Sequence, residues 1–477
     1  MVVGGGGGGS GGGQAAAAAA PPLVEAAPEK AQRPKLVKKQ SSKKKNLNAP
    51  PPWDVNGSVW APRKTWCDSK DFVDALAIEK KRMSNDWWRA CEMGVDKLVT
   101  SNDDNGEADA DGDGIADELQ EIEQLLWEHR VFVFVLFQYY TCVGTDISFM
   151  SLNQWSQFVD ECKITDNSHK FLKKSDLDRL FIAIDTKAAM TQQKKQAASN
   201  AQTPTHDDLK KKVLHRVEFV VGLVHIAILR YVATGIIFDV SDALRKLLVD
   251  DIRPQLNPKV LKPTPNVFRK AACYREDVDK VLKIFEPSLR AIFAGMCCTS
   301  GTGDKERHLN LNEWKMLLRS VDIIGNDCSE RDAAMCFAWS RMCVADELIS
   351  QHTKMRDTHL PFEGFMEAIV RLSLLKALPF DAEIEDAGST DAGEYLRELR
   401  LNHEEAYQNL LIVRNPQWGD EPMQPIDRTV FHLCAMLVRR VVESMSGAIS
   451  SGPAGISFQV SSTEAHKFAK QITAPKK

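Results

Sequence analysis

The chain has 477 residues, 43% hydrophobic and 26% charged, with a formal net charge of −4. That length allows about two to four domains at roughly 100–200 residues each, and the near-neutral balance gives no whole-chain drive toward nucleic acid or membrane. The most apolar run, Val131 to Phe137, is far short of the ~20 residues that a membrane span requires.

The N-terminus has no charged stretch leading into an apolar one, so no secretory signal is expected. Eleven cysteines, at 67, 91, 142, 162, 273, 297, 298, 328, 336, 343 and 434, form no C-x-x-C pair. Scattered through apolar runs, they fit a reducing, intracellular setting in which free Cys serves as a small core hydrophobe.

Residues 1–52 run from poly-Gly through poly-Ala to a Pro-rich stretch, a composition that predicts a disordered tail. Within it a basic cluster spans residues 30–45, including Lys38, Lys39, Lys43, Lys44 and Lys45. Such a cluster suits contact with an acidic surface. No aromatic residues interleave to stack on bases, which argues against nucleic acid. Order is expected from Trp53. Five of the ten tryptophans (53, 60, 66, 87 and 88) fall before residue 100 and should dock on the domain that follows. Asp68 to Phe72 reads as a turn, and Lys80 to Val99 as helix.

Residues 101–117 are acidic and glycine-rich, closing a segment 53–117. Helical spacing starts after Asp117 with Leu119, Ile122, Leu125 and Leu126. Residues 186–212 read as a loop, and the four prolines of 252–268 as a linker. Beyond residue 380 the expectation is helices within 390–446 and a disordered tail over 447–477. No alternating run suggests a substantial sheet, so the expected class is all-α.

The chain also repeats itself. Leu152-Asn153-Gln154-Trp155 recurs as Leu311-Asn312-Glu313-Trp314, 159 residues on, and Leu126-Trp127-Glu128 as Ile284-Phe285-Glu286, 158 on. Two homologous halves are expected, at 118–250 and 275–380. Within each half a unit occurs twice, with Trp155, Phe219, Trp314 and Phe365 opening helices. Five residues before each stands an apolar residue: Met150, Leu214, Leu309 and Leu360.

Helix, loop, apolar strand residue, then acid or amide and an aromatic opening the next helix, in pairs, resembles the EF-hand family. The segments Phe337-Ala338-Trp339-Ser340-Arg341-Met342 and Val59-Trp60-Ala61-Pro62-Arg63 are also similar to tandem EF-hand-like proteins of flagellated algae and protists. The resemblance implies paired helix-loop-helix units joined by small ribbons. It leans toward a structural or adaptor role with protein partners, cytoplasmic and in a cytoskeletal or ciliary (flagellar) assembly.

Calcium loops of that family need oxygen ligands at positions 1, 3, 5 and 9, Gly at 6 and Glu at 12. The first unit offers Val143, Thr145 and Ile147, with Gln154 at 12. The second has Glu218 at 12 but Lys211 and Lys212 at 5 and 6. The third has Asp304, Glu306 and Glu313, but Arg307 in place of the Gly. In the fourth, Gly364 replaces the Glu. All four ligand sets are broken.

A separate run, Asp109-Ala110-Asp111-Gly112-Asp113-Gly114-Ile115-Ala116-Asp117, places Asp109, Asp111, Asp113 and Asp117 at 1, 3, 5 and 9. The Ile115 carbonyl falls at 7 and Gln120 at 12. This run resembles Asp-rich Ca²⁺ loops, so the alternative function is a calcium-responsive sensor with Ca²⁺ as its cofactor. A solvated acidic linker is the plainer reading.

Signals of catalysis are weak. Ser300 to Lys305 departs from phosphate-loop spacing, His403-Glu404-Glu405 lacks a second zinc histidine, and Cys297-Cys298 has no partner pair. No nucleophile–base set emerges, and the expectation is a protein that is not an enzyme.

Overall fold

A computed structural model describes residues 52–102, 116–199, 212–261, 264–297, 307–446 and 459–474. Over these the chain is all-α, its extended pairing confined to one two-stranded ribbon and one isolated bridge. The basic cluster of residues 30–45 lies outside the described residues.

The tryptophan-rich segment divides its docking between two places. The Trp60 Nε1 donates to the Cys273 carbonyl at 3.0 Å, and the Trp53 Nε1 and Val59 N–H both donate to the Asp279 carboxylate at 2.9 Å. The first contacts of this segment are therefore with residues more than 200 positions away, beyond the domain that follows. After the short α1 (Arg63–Trp66) and a turn in which Lys70 takes a positive φ, α2 (Leu76–Glu92) and α3 (Val95–Thr100) turn back to the nearer half. Gly94, at φ 88°, breaks α2 from α3 in the left-handed conformation that favours glycine.

The first half comprises α4 (Asp117–Glu128), α5 (Arg130–Thr141), β1 (Met150–Ser151), α6 (Leu152–Glu161), α7 (Lys174–Ser199), β2 (Val213–Leu214), α8 (Arg216–Ala227) and α9 (Val240–Lys246). Helix α7 extends to Ser199 through sequence that reads as a loop from 186. Its Lys, Gln and Ala residues are good helix formers, and helix propensity prevails there over the missing apolar stripe. The linker holds α10 (Pro258–Leu261) and α11 (Pro265–Phe268), each opening on a proline, the residue favoured at a helix's first position. The second half has α12 (Glu276–Cys297), α13 (Leu311–Ser320), α14 (Glu330–Trp339), α15 (Gln351–Thr358) and α16 (Phe362–Ser373).

Then come α17 (Asp381–Asp386), α18 (Ala392–Asn402), α19 (Glu404–Val413), α20 (Ile426–Ser446) and α21 (Ser462–Thr473). The last corrects, over residues 462–473, the expectation of a disordered tail; residues 447–458 and 475–477 of that tail lie outside the described residues. Ala465, Phe468 and Ala469 recur at helical spacing and are buried, and a Ser461/Glu464 capping box opens the helix.

The geometry repeats at the spacing of the sequence repeat. Met150 pairs with Leu214 and Leu309 with Leu360, both antiparallel. The four helix-opening aromatics are fully buried. The Trp155 indole donates to the Leu177 carbonyl at 3.1 Å and lies edge-on to Phe219, while the Trp314 indole donates to the Ala333 carbonyl at 2.8 Å and lies edge-on to Phe365. Lys163 and Asp322, 159 apart, both adopt positive φ just past their helices. There the Ile164 and Ile323 amides close back on Val159 and Leu318.

His129, which interrupts α4 and α5, stands 158 residues before Pro287, which lies inside the continuous α12. Buried residues gather into two cores, one around Trp87, Trp155 and Phe219, the other around Trp60, Trp314, Phe365 and the C-terminal helices.

Candidate functional site

The residues at the twelfth loop position are each put to a different use. Gln154 accepts from the Ser151 amide at 2.6 Å, and its Nε2 donates to the Tyr140 and Thr141 carbonyls at 3.0 and 3.1 Å. Lys315 of α13 reaches the same loop from the second half, donating to the Gly144 carbonyl at 2.8 Å and the Cys142 carbonyl at 3.4 Å. Lys315 as a whole is 3% exposed, and burial pushes its pKa down from the ordinary lysine value. The carbonyls at the end of α5 and the start of the loop are thus satisfied by an amide and by a lysine of the same chain.

Glu313 takes part in a capping box with Asn310, accepting from its amide at 2.9 Å. At Gly364 a Cβ would stand 2.9 Å from Leu360 Cδ2 and 3.2 Å from Pro361 Cδ, so a side chain there would have to displace the Leu360 methyl. Glu218 alone among the four faces a cavity.

That cavity is a cleft of about 930 Å³ between the halves, bordered by α2, α5, the starts of α8 and α13, and residues 338–359. Its walls carry a chain of ion pairs. Arg82 meets Asp357 at 2.9 Å, Arg216 meets Asp86 at 2.5 Å and Glu347 at 3.0 Å, and Arg341 approaches Asp357 at 3.9 Å. Phe134 lies beside both the Arg82 and Arg216 guanidiniums, 5.2 and 5.7 Å from its centroid, within cation–π range. Burial alone would raise the Glu347 and Asp357 carboxyls. The neighbouring guanidiniums outweigh it and hold both below their ordinary values.

Deeper, Glu367 receives Arg63 at 2.8 Å, Arg269 at 3.0 Å and Arg371 at 2.6 Å, and Asp74 receives Arg269 at 2.6 Å. Glu367, Arg63, Arg269 and Arg371 are all at most 1% exposed. The tryptophan segment, the linker and α16 are stapled at this one carboxylate.

Of the calcium ligands suggested by sequence, Asp109, Asp111, Asp113 and Ile115 lie outside the described residues. Asp117 opens α4. Beside it Glu118, Glu121 and Asp239 place carboxylate oxygens within 4.8 Å of one another. The three share Ser241, whose amide and hydroxyl donate to them at 2.6 to 3.2 Å, so they also serve to cap α9. Sequence reading missed Lys315, the cleft and the arginine staple. Each depends on pairs far apart in the chain, such as Lys315 with Gly144 and Arg63 or Arg269 with Glu367, and no local pattern signals such pairs.

The ten described cysteines are buried, and no helix among the described residues is long and apolar enough to cross a membrane. No family model, curated protein or solved structure matches this chain.

Proposed function

We propose that this chain is a non-enzymatic structural or adaptor protein that holds partner proteins through two EF-hand-like pairs. The observation that carries the proposal is the first loop, where Gln154, in the place of the closing glutamate, is spent on the Tyr140 and Thr141 carbonyls at the end of α5, and Lys315 holds the Gly144 carbonyl. A loop closed by its own side chains suits a static part better than a switch, and the cleft between the halves offers a partner both apolar and charged surface.

Cross-linking mass spectrometry of tagged full-length protein in its own cells tests the reading. Lys354, exposed on the border of the cleft, should cross-link to a reproducible partner. Cross-links from other lysines with none from Lys354 would count against the cleft as the partner site.

A second reading, the calcium-responsive sensor, draws support from the acidic trio adjoining Asp117 and from the Asp109–Asp117 run. Calorimetric titration of Ca²⁺ into wild type and Asp109→Ala decides it: absence of heat at millimolar Ca²⁺ removes this reading.

A further inference from the structure

Glu218 is the anomaly of the cleft. It lines the cavity, is 6% exposed, and its Oε2 is inaccessible with no hydrogen-bond partner. The other buried or half-buried ion-pairing groups nearby are matched: Arg82, Arg216 and Arg341 against Asp86, Glu347 and Asp357, Arg130 against Glu79, and Arg269 against Asp74. Glu218 adds a negative charge with no counter-ion among the described residues. Glu347, whose Oε1 meets Arg216, leaves its own buried Oε2 without a donor in the same cleft. A buried carboxylate oxygen without a donor is costly, and two of them in one cavity call for a ligand rich in donors and positively charged.

We infer that the cleft takes a basic side chain, lysine or arginine, of a partner polypeptide, with the cation set against Glu218 and Glu347. The inference rests on the reading of the cleft as a partner site and adds the chemistry of the partner. Charge complementarity selects the cation, because an acidic side chain would add to the excess negative charge. Leu348, 60% exposed on the rim, offers apolar surface to the residues flanking the inserted one. An ammonium could also come from a free polyamine, which would satisfy the same oxygens without a polypeptide.

The test is binding of full-length protein to randomised hexapeptide pools whose central residue is fixed as Lys, Arg, Ala or Glu, with spermidine as competitor and Glu218→Gln as variant. Circular dichroism of the variant secures its fold, and Glu218→Met, which removes the charge at similar side-chain length, serves in its place should the glutamine variant unfold. The Lys and Arg pools should bind at least tenfold better than the Ala and Glu pools, and Glu218→Gln should abolish that preference. Equal binding of all pools, or a preference unchanged in the variant, would overturn the basic side chain while leaving the cleft a partner site. Spermidine binding without any preference among pools would assign the carboxylates to a free polyamine instead. Binding of no pool, together with no Lys354 cross-link, would remove the partner site itself.

Discussion

At the scale of single residues, buried charges set the predictions. Replacing Lys315 with methionine leaves the Gly144 and Cys142 carbonyls without their ammonium. An unsatisfied buried acceptor costs about 1–3 kcal/mol, so urea denaturation of Lys315→Met should show a loss of that order. Glu367→Gln should cost more, about 3–5 kcal/mol, because Arg63, Arg269 and Arg371 would face one another without the carboxylate they share.

Histidines govern the response to acid. Burial, aided by Lys187, pushes His225 down to about 4, and burial pushes His432 to about 4 despite the opposing Asp381. The unfolded chain protonates its histidines near 6.5. Both residues therefore leave stability intact above that pH and remove it as pH falls from 6.5 toward 4, by up to about 3 kcal/mol each. Denaturation midpoints should drop between pH 7.5 and 4.8, and His225→Gln/His432→Gln should shrink the drop.

At the scale of elements, the two tryptophans that open α6 and α13 make equivalent contacts: an indole donor to a carbonyl and an edge-on phenylalanine. Trp155→Ala and Trp314→Ala should each cost about 3–5 kcal/mol, and calorimetry that found one of them silent would break the equivalence. Helix α21 rests on a close approach: a Cβ at Gly295 of α12 would stand 2.8 Å from the Ala465 carbonyl oxygen. Gly295→Ala should therefore loosen α21, seen as faster proteolysis after residue 458 with the rest of the chain intact.

Much of this level was legible in the sequence, because the repeated apolar and aromatic positions are local patterns. Met150, Leu214, Leu309 and Leu360 pair as the spacing suggests. The ends of α7 and the existence of α21 were not legible. Residues 186–199 lack an apolar stripe, and Ser462–Thr473 depends on contacts with α12 almost 170 residues away. The candidate site was less legible still. Glu218 and Glu313 can be counted to a loop position, but only the fold reveals that one caps a helix and the other faces a cavity.

At the scale of the whole molecule, the tryptophan segment and α2 tie the two cores together. Trp60 and Arg63 dock on the second core, while Arg82 and Arg89 of α2 reach Asp357 and Asp346. A body tied in this way favours rigid presentation of its cleft over opening and closing. The central claim is that the first loop is held by the chain's own amide and ammonium groups and needs no ion. The most direct test is differential scanning calorimetry of the full-length Asp109→Ala chain, which sets aside the separate Asp109–Asp117 run, in EGTA and in millimolar Ca²⁺. A ligand at 100 times its Kd adds about 2.7 kcal/mol to the folded state, so bound calcium would show plainly. The claim predicts superimposable melts; a rise of several degrees in calcium would contradict it.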